Sequence, residues 1–194
     1  MRASRINYIG EFGWELYIPT EFTIAVYDLL TEAGEAFGLR HVGMHAMNSL
    51  RIEKAYRHYG HEITDADTPF ESDLSFAVKL DKAGGFIGRD ALLRQRETRP
   101  NKRLVQFLLN DPEPMLYHNE PIWREGTLAG YVRSAMYGHT LGGAVALGSV
   151  EHPDGVDADN VKSGSYEIEI AGVRFPTTAS LRPLYDPKSQ RVKA

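Results

Sequence analysis

The sequence predicts an α+β protein that ends in a small antiparallel β-barrel. Two segments in the first 90 residues carry apolar side chains at helical spacing, next to short β-favouring runs around a pair of glycines. Beyond residue 100 the helical period disappears, and short apolar runs alternate with turn clusters. With 194 residues, 42% of them hydrophobic and 25% charged, the chain can bury a sizeable core.

The first expected strand covers residues 5–8, followed by Gly10-Glu11-Phe12-Gly13 and a second strand at 14–18. Two glycines three apart accept a tight turn without steric cost. Pro19 ends the second strand, and Thr20 can cap a helix with Glu21 in its first turn. That helix carries Phe22, Val26, Leu29, Leu30, Ala33 and Phe37 on one stripe and closes at Gly38. A second helix is expected at 44–54, then a loop through Thr68-Pro69 and a strand at 75–79. A glycine-rich stretch at 84–88 precedes a short charged helix at 89–98, which stops before Pro100. Six strands follow, at 103–109, 121–123, 128–134, 143–150, 165–170 and 173–178. Their number and spacing indicate a barrel or sandwich. The chain therefore divides into an α+β layer at 1–88, a connecting helix at 89–100, a barrel at 101–186 and a frayed tail at 187–194.

The α+β layer is physically thin, since a lone hairpin needs more strands or good helix cover. A chain that starts directly on a strand reads as the later part of a larger fold; a compact unit complete as written is the alternative. Composition narrows the function classes. The formal net charge of -4, with both signs interspersed, provides no basic field for nucleic acid and no cationic face for a membrane. With no Cys, disulfides, thiolate nucleophiles and Cys-based metal sites are excluded. The start, Met1-Arg2-Ala3-Ser4-Arg5, carries no apolar stretch, and a cytoplasmic location is the expectation.

Among polar residues, Glu11 at the tip of the glycine-flanked turn is either a solvated turn glutamate or an acceptor for two parallel N–H groups of a planar heterocycle. Arg51 lies about 40° from Met47 and about 20° from Met44 on a helical wheel, at the edge of an apolar face. It needs an anion there, either an internal Asp or Glu or a ligand carboxylate. His58 and His61 form too sparse a set for a metal. Tyr137-Gly138-His139 can set an aromatic over a ligand or simply turn the chain. Neither a P-loop nor a dinucleotide fingerprint is present.

The run Tyr8-Ile9-Gly10-Glu11-Phe12-Gly13-Trp14-Glu15-Leu16-Tyr17 resembles the Tyr-x-Gly-Glu-x-Gly-x-Glu segment of the glycine cleavage T-protein family. It is most similar to the C-terminal folate regions of dimethylglycine and sarcosine dehydrogenases. Ala46-Met47-Asn48-Ser49-Leu50-Arg51-Ile52-Glu53-Lys54-Ala55-Tyr56-Arg57 resembles their Ala-x-Asn-Ser-Leu-Arg-x-Glu-Lys-x-x-Arg signature. Thr68-Pro69, residues 76–80, 86–89 and 137–142 match in the same order. The resemblance implies a partial T-protein-like α+β layer, lacking its N-terminal part, followed by a C-terminal β-barrel. It implies tetrahydrofolate as cofactor and an amine-derived one-carbon donor as substrate.

Carried over by position, Glu11 grips the pterin edge, Tyr8 packs near it, Arg51 helps hold the folate, and Tyr59 lines the same cavity. No catalytic residue falls in this chain, because the family's acid nearest the reactive folate nitrogens belongs to the N-terminal portion. The dehydrogenases' flavin domain has no counterpart here, so the implied partner is a flavin-containing or N-terminal chain, with a homo-oligomer as the alternative. An active transferase module and a non-catalytic folate-binding scaffold both remain open. Asp73, where relatives have Gly, and Arg133 and Ala135, where they have Thr and Gly, depart from the pattern.

Overall fold

The computed structural model describes residues 1–193; Ala194, the end of the expected tail, lies outside them. Strands β1 (Arg2–Ser4) and β2 (Glu15–Tyr17) form a two-stranded antiparallel ladder pairing Arg2 with Tyr17 and Ser4 with Glu15. The first strand thus lies ahead of the expected 5–8. Residues 5–14 are a loop because their polar groups bond locally: the Ile6 N–H donates to the Ser4 carbonyl (2.8 Å) and the Gly10 N–H to Asn7 Oδ1 (2.7 Å). An Asn side chain that captures a backbone N–H competes with ladder pairing.

A 3-10 turn at Thr20–Phe22 leads into α1 (Thr23–Glu35), which closes at Gly38. No residue of α1 is buried: Ile24 is 77% exposed, Leu29 66%, and Phe37 just beyond it 90%. The apolar stripe read from the sequence exists, but nothing among the described residues covers it. Helix α2 (Met44–Glu53) is the opposite case, with Ser49, Arg51, Ile52 and Glu53 all buried. The expected strand at 75–79 is a 3-10 turn, Ser75–Ala77. Asp73 ahead of it takes φ 54°, and Leu74, Ala77 and Val78 donate their N–H groups to carbonyls three to five residues back, so the segment closes on itself.

After α3 (Arg89–Arg96) comes a closed barrel of six antiparallel strands: β3 (Lys102–Leu109), β4 (Pro121–Arg124), β5 (Thr127–Gly138), β6 (Gly143–Glu151), β7 (Tyr166–Ile170) and β8 (Val173–Ser180). They close in the order β3-β6-β5-β4-β7-β8. A short helix, α4 (Ala158–Ser163), went unread; Asp157 caps it by accepting the Asn160 N–H at 2.8 Å.

The barrel interior is filled by Val105, Phe107, Ile122, Val132 and Ile168. Each fully buried side chain of this size stabilises the fold by about 1.5–3 kcal/mol. Strand β6 is buried on both faces, because Val145 and Leu147 pack outward on Ile52 and Ala55 of the α2 region. Arg133 falls at the register shift between β5 and β6 and is exposed, whereas Ala135 joins the interior.

Polar groups fasten α2 to the barrel. Ser49 Oγ donates to the Tyr137 carbonyl (2.6 Å), and buried Gln106 Nε2 donates to the carbonyls of Ile52 (2.6 Å) and Glu53 (3.0 Å). After the barrel, Leu184 N–H donates to Gln106 Oε1 (2.7 Å), and Asp186 accepts from Gln190 and Arg191.

Two ion pairs tie the 60s and 70s to β3, namely Lys102–Asp67 (2.6 Å) and Arg103–Asp73 (2.5 Å). Burial raises the Asp67 pKa, but the bonds from Lys102 and from Thr64 N–H and hydroxyl outweigh it and hold the carboxyl below its ordinary value. A depressed carboxyl contributes stability above its unfolded pKa and loses it as pH falls through the folded one. Asp67→Asn is therefore expected to flatten the loss of stability below about pH 4, measured as urea midpoints across an acid series. An unchanged acid limb contradicts this.

Candidate functional site

The expected site residues gather around the C-terminal end of α2. The 7–13 loop bends at Gly10, whose φ of 70° suits glycine. A Cβ there would lie 2.1 Å from Lys54 Cδ, so the loop closes directly over the Lys54 stem. Lys54 is 4% exposed; its ammonium donates to the Gly10 carbonyl and to Glu11 Oε1 and lies 4.9 Å from the Tyr185 ring centroid. Glu11 keeps about a third of its side chain in solvent, and its Oε2 accepts nothing among the described residues.

Arg51 answers the question left open by its position: its anion is internal. It is 3% exposed, and Nη1 donates to Glu62 Oε1 (2.5 Å) and the Tyr56 carbonyl (3.0 Å), with Nε to Asn48 Oδ1 (3.3 Å). Glu62, 2% exposed, takes the His58 N–H (2.6 Å) on its other oxygen. Of the residue expected to help hold the folate, Nη1 and Nε are thus committed to internal partners, and Nη2 donates to nothing among the described residues. Its guanidinium carbon lies over the Tyr8 ring, 5.9 Å from the centroid.

Tyr8 and Tyr59 line one cleft of about 970 Å3, together with Tyr56, Arg57 and Phe76. Tyr59 is 68% exposed. The Tyr8 hydroxyl is buried and has no hydrogen-bond partner among the described residues. Burial raises its pKa, Arg51 opposes and Glu62 adds to the rise, so the group is a protonated hydroxyl at neutral pH. Such a buried donor without a partner is uncommon and calls for an explanation.

Asp73 explains itself. Its positive φ suits Gly or a short polar residue, and its carboxylate joins Arg57 (3.0 Å) to Arg103 (2.5 Å). Burial lowers the Arg57 pKa, and the Asp73 contact counters it.

Tyr137 and His139 meet edge to face at 5.2 Å, but beside a separate hollow of about 350 Å3 next to His45 and Ser49. The His58 and His61 rings lie tilted to each other with centroids 4.4 Å apart, and no group of three or more metal-capable side chains occurs among the described residues. Lys54, Glu62 and Tyr185 were missed by sequence reasoning. Lys54 lies three residues from Arg51, but only the folded loop reveals that it reaches Glu11. The cleft has aromatic walls, and Lys54 on its lining bonds Glu11, which lies on the neighbouring loop rather than on the lining itself.

Residues 1–82 match the GCVT N-terminal domain and residues 102–186 the glycine cleavage T-protein C-terminal barrel domain. The chain is 42% identical over 97% of its length to 4-methylaminobutanoate oxidase (formaldehyde-forming) of Paenarthrobacter nicotinovorans, of which it covers 22%. It is 40% identical over its full length to mitochondrial sarcosine dehydrogenase of Homo sapiens, covering 21%. It is 39% identical over 95% of its length to the mitochondrial pyruvate dehydrogenase phosphatase regulatory subunit of Mus musculus, covering 22%. The chain thus spans about a fifth of the length of these relatives. A crystal structure of glycine cleavage system aminomethyltransferase T from Bartonella henselae superposes with a TM-score of 0.78 at 26% identity, over 93% of this chain and 48% of that one.

Proposed function

The chain belongs to the glycine cleavage T-protein family, and from that premise we propose that it is a tetrahydrofolate-binding, aminomethyltransferase-type module. The observation that carries this reading is the cleft walled by Tyr8, Tyr56 and Tyr59, where Lys54 both lines the cleft and bonds Glu11 on the neighbouring loop. Glu11 would take the pterin's N–H donors chiefly through Oε2, the Tyr8 ring would pack near it, and Tyr59 would cover the ligand from the open side. When bound, tetrahydrofolate supplies the nucleophilic nitrogens that capture a one-carbon unit from an amine donor. The protein's part is orientation and exclusion of water. The proposed partner is a polypeptide that completes the fold and covers α1. In support, the matched aminomethyltransferase chain is about twice as long, and Ile24, Leu29 and Phe37 stand exposed here. A flavin-containing chain is the form of that partner that the resemblance to the dehydrogenases implies.

Calorimetric titration of the purified chain with 5-formyltetrahydrofolate tests the reading. Wild type is expected to bind, and Glu11→Ala to bind about tenfold more weakly or worse, since a hydrogen bond to a charged group contributes about 1.5–3 kcal/mol. A flat wild-type titration, even with the N-terminal part of a relative supplied, would falsify it. Turnover of an amine donor by the 194-residue chain alone is expected to be weak. A second reading, a non-catalytic folate-binding scaffold, is favoured by the likeness to a regulatory subunit. Binding without chemistry in the completed assembly selects it.

A further inference from the structure

We infer that Lys54 is a positioning and specificity residue for Glu11, making that carboxylate a receptor for neutral N–H donors rather than for cations. The inference rests on the folate reading above and deepens it. Lys54 projects from the C-terminal end of α2, the helix fastened to the barrel through Ser49, Glu53 and Gln106. Its ammonium bonds two consecutive residues of the loop, the Gly10 carbonyl and Glu11 Oε1, and faces the Tyr185 ring with its third side. The 7–13 loop has its own Asn7–Gly10 bond, but that bond is internal to it. Lys54 is what registers Glu11 to the rigid body of the protein. Gly10 is part of the device, because any Cβ there would occupy the path of the lysine stem.

Two consequences follow from this geometry. With Oε1 held by the ammonium, Oε2 is the oxygen left to meet a ligand, and its direction is set by α2 rather than by a mobile turn. The electrostatic consequence is larger. A carboxylate matched by a buried ammonium has little net charge to offer, so a protonated ligand gains little from it. A pterin that presents two neutral N–H donors still makes charge-assisted bonds to the carboxylate. Removing the ammonium uncovers a full negative charge in a partly desolvated site, which favours a ring that can take up a proton.

The test compares 5-formyltetrahydrofolate with a 2,4-diaminopteridine analogue, which protonates when it meets an unpaired carboxylate. Both are titrated into the full chain as wild type, Lys54→Met, Lys54→Arg and Gly10→Ala. Wild type is expected to prefer 5-formyltetrahydrofolate. Lys54→Met is expected to move the ratio of the two affinities at least about tenfold toward the diamino ring, the effect of one charge-assisted contact. Lys54→Arg, which keeps the charge, stays near wild type. Gly10→Ala, which displaces the stem without removing the charge, moves the ratio the same way as Lys54→Met and carries the test if the methionine variant does not fold.

A purely structural lysine would weaken both ligands equally and leave the ratio unmoved, which overturns the inference while the folate reading stands. Failure of wild type to bind either ligand overturns both.

Discussion

Glu62→Ala is expected to lower the unfolding free energy by about 3–5 kcal/mol, because it leaves the Arg51 guanidinium buried without an anion. Both partners are almost wholly buried, at 3% and 2% exposure, so solvent screens the pair very little. The loss is also larger than that of one contact. Glu62 accepts the His58 N–H as well, and that donor would be orphaned in the same step. Replacing both partners with apolar residues of similar volume, as Arg51→Met with Glu62→Leu, should recover much of the loss, since desolvation of the two charges is then avoided. Urea unfolding of the two single variants and the double measures this directly. A single-variant loss under about 1 kcal/mol, the range of solvent-exposed pairs, would show that Arg51 reaches water or another anion.

Glu53→Ala is expected to cost about 3 kcal/mol, by removing a buried charged acceptor shared by two N–H donors. Glu53 is 1% exposed, and its Oε1 accepts from Thr140 N–H and Leu141 N–H, each at 2.8 Å. The contact joins the last turn of α2 to the turn between β5 and β6. A glutamate at a helix C-terminus opposes the helix dipole, so local energetics argue against it there. The tertiary turn supplies the compensation. Gly138 leaves the space, since a Cβ there would lie 3.0 Å from Glu53 Oε1 and 2.7 Å from Val145 Cγ2. Thermal melting should fall by about 6–12 °C for a chain of this size, with Glu53→Gln intermediate because its amide oxygen still accepts. A melting point within about 2 °C of wild type would contradict the docking role.

The barrel was the most legible part of the fold. Alternating apolar runs such as Val105, Phe107 and Leu109 place side chains on one face of a strand, and six of them with short turns close on themselves. The strand at 75–79 was misread because Phe76 and Val78 are β-favouring, whereas the turn at Asp73 and local N–H bonds hold Ser75–Ala77 in a 3-10 turn. The stripe on α1 was visible as a period, but a period says only that a face exists and not what lies against it. At the site, Tyr8 and Tyr59 could be placed on one cleft by resemblance, and Glu11 on its loop. Arg51 could be recognised as an arginine in need of an anion, but Glu62, eleven residues on and past a left-handed turn at Ala55, could not be identified as that anion.

By itself, the sequence determined the architecture of an α+β part followed by a barrel, the location of the turn bearing Glu11, and the family, because these depend on short-range periodicity and on residue order. Only the tertiary structure decided which charges meet: Arg51 with Glu62, Lys54 with Glu11, Glu53 with the β5–β6 turn. The physical reason is that a buried charge is satisfied by whatever group the fold brings within about 3 Å, and that neighbour is set by how helix, loop and barrel pack rather than by its distance along the chain.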